Sequence, residues 1–572
     1  MLIVAPTWVG SASWLSLMRR LLHEPITLSQ ESPHDRLRSG IARLALRDAS
    51  TRPISSRGAL QNWLIDLRPV FLEPELLRAA ATLFWQTYVD VDRLQVGALE
   101  TAAIPLLAAI LLSKPSDRES VTGFIIRKER KTTGLGQSIE GSVSDAPIVL
   151  IDDILNSGAS AEKARAVLSD AGKTIAHMFV VIDYTSARGL AWRNTCDIPV
   201  RALFGLNEFG LKLNVNPPPP KQRYRLLWHA RVAGGYPYYV VPKSEPVLVG
   251  DRIYRGCDAG KMQAFDSGSG AVVWEHRATG ATPRKGVWST PAVHRNRLYY
   301  GAYNGVVYCL DAANGEEVWS QPACEWVGAS PVVAPQHKLL YVGLEYERPW
   351  ARGSLTALNL ETGAKVWERQ VTKFQHGSPA YWQKGDLIIW GSADYVMLGL
   401  DAQTGKTLWS FRTRRSVKYA AAIDDERQLV AFASFDKSIY VLDVATGEKR
   451  GEWKTNEICY TTPLFAGNRL FCGSGDRHLY VIDLDTMELV QKIDLGARIY
   501  ASPRLMGSRV ILATTGGRVL EFDHDSLKIE GVLQLPDAVT NAVALSPDGS
   551  QMFVSTYMND LFAFQREEAS VT

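Results

Sequence analysis

The sequence predicts two domains of different class, an N-terminal α/β domain and a C-terminal all-β propeller of eight blades. Three observations carry this. Four prolines at 217–220 separate a part in which helical patterns alternate with short β-branched runs from a part in which aromatic strands alternate with glycine turns. Beyond the prolines a strand–Asp–Gly–Trp unit recurs every 40 to 48 residues, the size of a four-stranded blade. Before them, one apolar strand leads into two adjacent carboxylates, a hydroxyl-rich turn and a helix, in that order.

A chain of 572 residues is too long for one domain. Its 46% hydrophobic and 22% charged residues are those of a globular protein. Lysine plus arginine (63) nearly balances aspartate plus glutamate (60), and a formal net charge of +3 excludes general nucleic-acid binding. Six scattered cysteines with no Cys-x-x-Cys pair fit a reducing compartment and no zinc site. No apolar run reaches the roughly 18 residues of a membrane helix. The N-terminal MLIVAPTWVGSASWLSLMRR carries its basic residues after its apolar ones, the reverse of a secretory leader. The expectation is a cytoplasmic protein without a membrane partner.

Residues 1–50 read as an N-terminal extension with one helix over Asp35–Arg47, and residues 51–213 as the α/β domain. Ile148–Ile151 make a buried parallel strand. Asp152 and Asp153 follow at its carboxyl end, where open α/β sheets bind ligands. Asn156-Ser157-Gly158-Ala159-Ser160 is a turn of small residues. Ala161–Ala171 then reads as a helix, with Ala164, Val167, Leu168 and Ala171 inward and Gly172 as its stop. Such a turn presents backbone N–H groups and a positive dipole end to a phosphate monoester, and the acid pair beside it suits ribose hydroxyls. Phe179–Ile182 supplies the next strand, ending in Asp183. Upstream, Arg127-Lys128-Glu129-Arg130-Lys131, with Gly134 and Gly136 after it, reads as a cationic flap that closes over a polyanion. Taken alone, it reads equally as a solvated basic turn.

Residues 214–223 form the linker, its prolines a polyproline II spacer of about 12 Å. Residues 224–572 form the repeat array. Its unit is Asp266/Gly270/Trp274, then Asp311/Gly315/Trp319, Asn359/Gly363/Trp367 and Asp401/Gly405/Trp409. Asp443/Gly447 follows with Trp453 two places late, then Asp483, Asp523 and Gln565 in register. The acid or amide closes a hairpin turn, glycine supplies its positive φ, and Trp fills the space between blades. The eighth unit runs out before its last strand. Leu226-Leu227-Trp228-His229-Ala230-Arg231 mirrors Val272-Val273-Trp274-Glu275-His276-Arg277, so a strand at 224–231 is expected to close the ring and leave no open edge.

These repeats resemble the pyrroloquinoline-quinone-like (quinoprotein-type) propeller repeat over about residues 224–566. The quinone-dependent dehydrogenases of that pattern use a vicinal disulfide and a calcium site; this chain has no adjacent cysteines. The propeller is therefore expected to serve as a scaffold or as a platform for a protein partner.

The segment Ile148–Ser160 resembles the phosphoribosyl-pyrophosphate motif of type I phosphoribosyltransferases. The wider resemblance, over about residues 51–210, is to orotate phosphoribosyltransferase. It runs through Asn62–Arg68, through Gly97–Pro105 near the pyrophosphate, and through Phe124–Gly134, the strand leading into a mobile catalytic loop. The resemblance implies a type I phosphoribosyltransferase fold. It implies phosphoribosyl pyrophosphate binding by Arg127, Lys128, Lys131, Asp152, Asp153, Asn156, Ser157, Gly158, Ala159 and Ser160. Lys131, Asp152 and Asp153 take the catalytic roles. Arg188, within Asp183-Tyr184-Thr185-Ser186-Ala187-Arg188-Gly189, meets the carboxylate of the base. Magnesium is the implied cofactor, held mainly by the substrate, and the expected partners are phosphoribosyl pyrophosphate, a heterocyclic base and a second copy of the chain through this domain. The chain departs from the family at Thr133, where the loop has histidine; at Asn156, where the turn has threonine; and at Ser56 or Arg57, where a lysine stands near the ribose. Two functions follow as expectations: transfer of the phosphoribosyl group to a base such as orotate, or sensing of phosphoribosyl pyrophosphate or a nucleotide with signalling through the propeller.

Overall fold

The computed structural model describes residues 31–48, 63–91, 93–116, 118, 121–127, 138–196, 198–213, 223–231, 242–280, 286–346, 352–373 and 376–567. Lys128, Lys131, Thr133, Ser56, Arg57 and the four prolines lie outside the described residues.

The N-terminal part opens with helix α1 (Pro33–Leu44), started by Ser32, whose hydroxyl accepts from the Asp35 N–H at 3.0 Å. It ends three residues earlier than expected, because Leu46–Asp48 (β1) pairs antiparallel with Trp63–Ile65 (β2). Helices α2 (Arg68–Phe71) and α3 (Pro74–Thr87) lead to β3 (Gln95–Leu99), α4 (Ile104–Leu112), β4 (Thr122–Ile126) and β5 (Ile139–Glu140). Strand β6 (Ile148–Leu155), α5 (Ala159–Asp170), β7 (Ile175–Asp183), α6 (Ala187–Thr195) and β8 (Val200–Gly205) complete the domain. The six-stranded sheet has the order β5-β4-β3-β6-β7-β8; every pair is parallel except β4–β5.

Both faces of this sheet are covered. Val96, Ala98, Val149, Ile151 and Phe179 pack with α1, α3 and α4, whereas Leu99, Phe124, Leu150 and Val180 pack with α5 and Trp192 of α6. A strand buried on both faces must be apolar throughout, which is why Ile148–Ile151 has no alternation.

The C-terminal part consists of eight four-stranded antiparallel sheets. Seven are built from consecutive strands between Val247 and Gln534. The eighth takes three strands from 544–566 and its fourth from β9 (Tyr224–Ala230), which pairs antiparallel with Leu561–Arg566. Trp228 sits opposite Ala563 as Trp274 sits opposite Ala264, so the mirrored segment plays the same part in its blade.

The repeat residues show why the unit recurs. Asp266 Oδ1 accepts from the Ser269 N–H at 2.9 Å, and Gly270 takes φ +73°. In five of the blades the Trp lies over the turn glycine of the next: Trp228 on Gly270, Trp274 on Gly315, Trp319 on Gly363, Trp367 on Gly405 and Trp409 on Gly447. Each of these indoles also donates to a carbonyl of that turn, as Trp274 Nε1 does to Ala312 O at 3.1 Å. Any side chain on those glycines would occupy the indole's place. Among the described residues no helix is long and apolar enough to cross a membrane.

Candidate functional site

The site forms where β3 and β6 lie side by side in the middle of the sheet. From β3 the chain passes through α4 outward to β4; from β6 it passes through α5 the other way to β7. The connections therefore diverge and open a crevice at the carboxyl ends, the place where doubly wound sheets bind ligands.

Strand β6 is longer than expected. It pairs with β3 only as far as Ile151, opposite Ala98, but with β7 as far as Leu155, opposite Asp183. Asp152 and Asp153 thus lie within the strand rather than after it, along the stretch that β3 leaves uncovered. Asp152 is buried and Asp153 half-buried. The Asp153 N–H donates to Asp152 Oδ1 and the Ile154 N–H to Asp153 Oδ1, each at 2.9 Å.

Asn156–Gly158 then turns the chain into α5, which starts at Ala159, two residues before the expected position. Gly158 is the N-cap, at φ +77°, and has no side chain to cap the helix. Helix geometry leaves the N–H groups of Ala159, Ser160 and Ala161 without intrahelical acceptors, so the turn offers an anion both donors and a dipole end. Asn156 and Ser160 are exposed, Ser157 and Ala159 half-buried.

Helix α6 packs behind this turn. The Ser186 hydroxyl caps it by accepting from the Gly189 N–H at 3.0 Å, and donates to Asn156 O at 2.5 Å. A Cβ on Gly189 would strike Asn156 O, and one on Gly158 would strike the Trp192 ring. The Trp192 indole donates to Glu162 Oε2 at 3.1 Å. Burial pushes the Glu162 carboxyl up, but Arg165, together with the charge of Arg231 and the Trp192 hydrogen bond, outweighs it and holds the group below its ordinary value.

Two neighbours of the acid pair were not singled out from the sequence. Tyr184 follows the last residue of β7; burial raises its phenol, and the Asp153 charge raises it further. Arg68 forms an ion pair with Asp66 at 2.7 Å, which raises its guanidinium, and Asp153 adds to that. The position of Tyr184 at a strand's carboxyl end was the available signal.

Of the remaining expected residues, Arg127 directly follows β4, is half-buried and is hydrogen-bonded to Glu140 of β5. Its N–H donates to Ser138 O at 3.0 Å, so the chain returns to the sheet beside the strand it left. Arg188, expected at the carboxylate of the base, lies against the propeller, donating to Pro536 O at 3.3 Å and to Asp537 Oδ1 at 3.0 Å. That partner stands 349 positions away along the chain, beyond the reach of any local pattern.

Comparison with known proteins places both parts. The profile of the family described as outer membrane protein assembly factor BamB matches residues 223–352, 304–458 and 436–567. An orotate phosphoribosyltransferase of Bradyrhizobium sp. strain BTAi1 is 28% identical over 157 residues, 27% of this chain and 84% of the relative. One of Pyrococcus furiosus is 30% identical over 133 residues, 23% of this chain and 70% of the relative. A quinohemoprotein alcohol dehydrogenase of Pseudomonas putida superposes with TM-score 0.51 at 12% identity, covering 62% of this chain and 78% of its own, and at that identity it speaks for the propeller fold alone.

Proposed function

We propose, for a chain that belongs to the orotate phosphoribosyltransferase family in its N-terminal domain and to the BamB-described propeller family over residues 223–567, that it transfers the phosphoribosyl group of phosphoribosyl pyrophosphate to an N-heterocyclic base and releases pyrophosphate. Orotate is proposed as the base because the relatives carry that name. The observation that carries the reading is the acid pair on the part of β6 that β3 leaves unpaired, beside the uncapped start of α5, at the point where the sheet's connections diverge.

In this reading the N–H groups of residues 158–161 hold the 5′-phosphate, with Ser157 and Ser160 adding hydroxyls. Asp152 and Asp153 accept from the ribose hydroxyls, and their negative field favours the positive charge that develops as the bond from the anomeric carbon to pyrophosphate breaks. The base nitrogen then forms the new bond to that carbon. Arg127, Lys128 and Lys131 are proposed to stabilise the departing pyrophosphate. Among the described residues no three of His, Cys, Asp and Glu cluster as metal ligands. The oxygen-only acid pair suits a hard cation that arrives with the diphosphate, and magnesium carried in this way neutralises part of its charge. A second copy of the chain, packed through this domain, and a cytoplasmic setting belong to the same proposal.

A second reading, a sensor that reports phosphoribosyl pyrophosphate through the propeller, is favoured by the bond between Arg188 and Asp537. Purified protein incubated with orotate, phosphoribosyl pyrophosphate and magnesium decides between them. Pyrophosphate release dependent on orotate supports transfer; binding without release supports the sensor; neither binding nor release overturns both.

A further inference from the structure

We infer that Asp537 of the propeller, acting through Arg188, is a positioning residue for the phosphate turn, so that the propeller serves as the rigid back wall of the N-terminal site. This rests on the reading of residues 156–160 as that turn.

The chain of contacts has three links. First, α6 and the turn form one packed unit: Ser186 bonds Asn156 O, Gly189 leaves no space against that same carbonyl, and Trp192 lies on Gly158. A shift of α6 must therefore displace the backbone whose N–H groups face the ligand. Second, α6 is held by the propeller at both ends. Arg188, in its first turn, pairs with Asp537 and Pro536 O. Thr195, its last residue, accepts at its carbonyl from Arg231, the residue after the ring-closing strand β9. Third, Asp537 is itself fixed, because its other oxygen accepts from the Met558 N–H of the eighth blade at 3.0 Å. Side-chain exposure is only 13% for Arg188 and 8% for Asp537, so removing either partner leaves a charge in a desolvated site.

The network continues behind the helix. Trp192 bonds Glu162, Glu162 pairs with Arg165, and Arg165 lies in the field of Asp560 of the eighth blade. One chain of hydrogen bonds and ion pairs, through Arg188 and Asp537, thus runs from the helix behind the turn to the eighth blade, and the charge of Asp560 acts on Arg165 beside it. A ligand that tightens the turn must, by linkage, tighten the hold of the propeller on α6, and a molecule that grips the propeller at this corner must alter affinity at the turn by the same factor.

The test uses the full chain. Asp537→Asn removes the charge and keeps the shape, and Arg188→Asp combined with Asp537→Arg reverses the pair. Amide hydrogen exchange over residues 156–162 reads the turn without any ligand, and steady-state kinetics gives KM for phosphoribosyl pyrophosphate and kcat separately. The expected result is faster exchange at 156–162 and a KM raised about ten-fold, with a smaller change in kcat, both largely restored by the reversed pair. If Asp537→Asn does not accumulate as folded protein, Arg188→Lys is read the same way. Unchanged exchange at 156–162, or a reversed pair that restores neither readout, overturns the inference. Wild-type protein that neither binds nor turns over phosphoribosyl pyrophosphate overturns the functional reading instead, and exchange alone then judges the role of Asp537.

Discussion

The ring of Trp192 occupies the space that any side chain on Gly158 would need, and Gly158 holds a φ of +77°. Two requirements for glycine therefore coincide at one position, and that position is the hinge between the acid-bearing strand and the helix whose first N–H groups face the crevice.

Gly158→Ala is expected to fail on both counts. The left-handed conformation costs an alanine about 1–2 kcal/mol, and the clash with Trp192 adds to it. Denaturant unfolding should show a lower midpoint, and titration with phosphoribosyl pyrophosphate should show weaker binding. An alanine variant with wild-type affinity would mean that the turn does not hold the ligand.

Asp152→Asn with Asp153→Asn should lower phosphoribosyl transfer by at least about 100-fold while leaving thermal unfolding close to that of wild type. The pair is near-isosteric, and the local hydrogen bonds to the N–H groups of Asp153 and Ile154 need only oxygen acceptors, which the amides keep. Full turnover in the double variant would sink the assignment of these carboxylates.

Glu162 gives the domain a pH dependence. Its carboxyl titrates below the ordinary 4.5 in the folded protein, because burial, which raises it, is outweighed by Arg165 together with the charge of Arg231 and the Trp192 hydrogen bond. A group depressed by folding stabilises above its unfolded value, and that contribution is lost as pH falls through the folded one. The thermal midpoint of wild type should therefore drop as pH is lowered from about 4.5, and Glu162→Gln should flatten that part of the profile. Identical slopes in the two proteins would show that Glu162 is not linked to folding in this way.

Trp228→Ala should destabilise the ring from the other end of the domain boundary. The indole covers Gly270, donates to Ser267 O at 2.9 Å and belongs to the strand that completes the eighth blade. Its loss should cost about 2–4 kcal/mol, read as a lower denaturant midpoint, with exposure of the adjoining strand edge to protease. Wild-type resistance in the variant would mean that closure does not depend on this residue.

The sequence alone determined whatever depends on short-range pattern. The acid or amide recurring at blade spacing from Asp266 to Gln565 specified eight sheets, and in five of the junctions an indole is buried on the next unit's turn glycine. The likeness of Leu226–Arg231 to Val272–Arg277 located the closing strand. The acid pair, small-residue turn and helix were legible as one run, since strand, turn and helix follow each other along the chain. Tertiary structure decided what depends on distant neighbours. Whether Asp152 and Asp153 lie after β6 or within it turned on how far β7 goes on pairing, and Leu155 opposite Asp183 is a relation between strands. The partner of Arg188 was decided in the same way. From its own neighbourhood the guanidinium could face a substrate, Asp183 or solvent; Arg193 took Asp183, and the packing of α6 against the last strand of the seventh blade, Ile529–Gln534, brought Asp537 just beyond it to Arg188. Periodicity fixes which face of an element is apolar, whereas the choice among charged partners waits for elements hundreds of residues apart to meet.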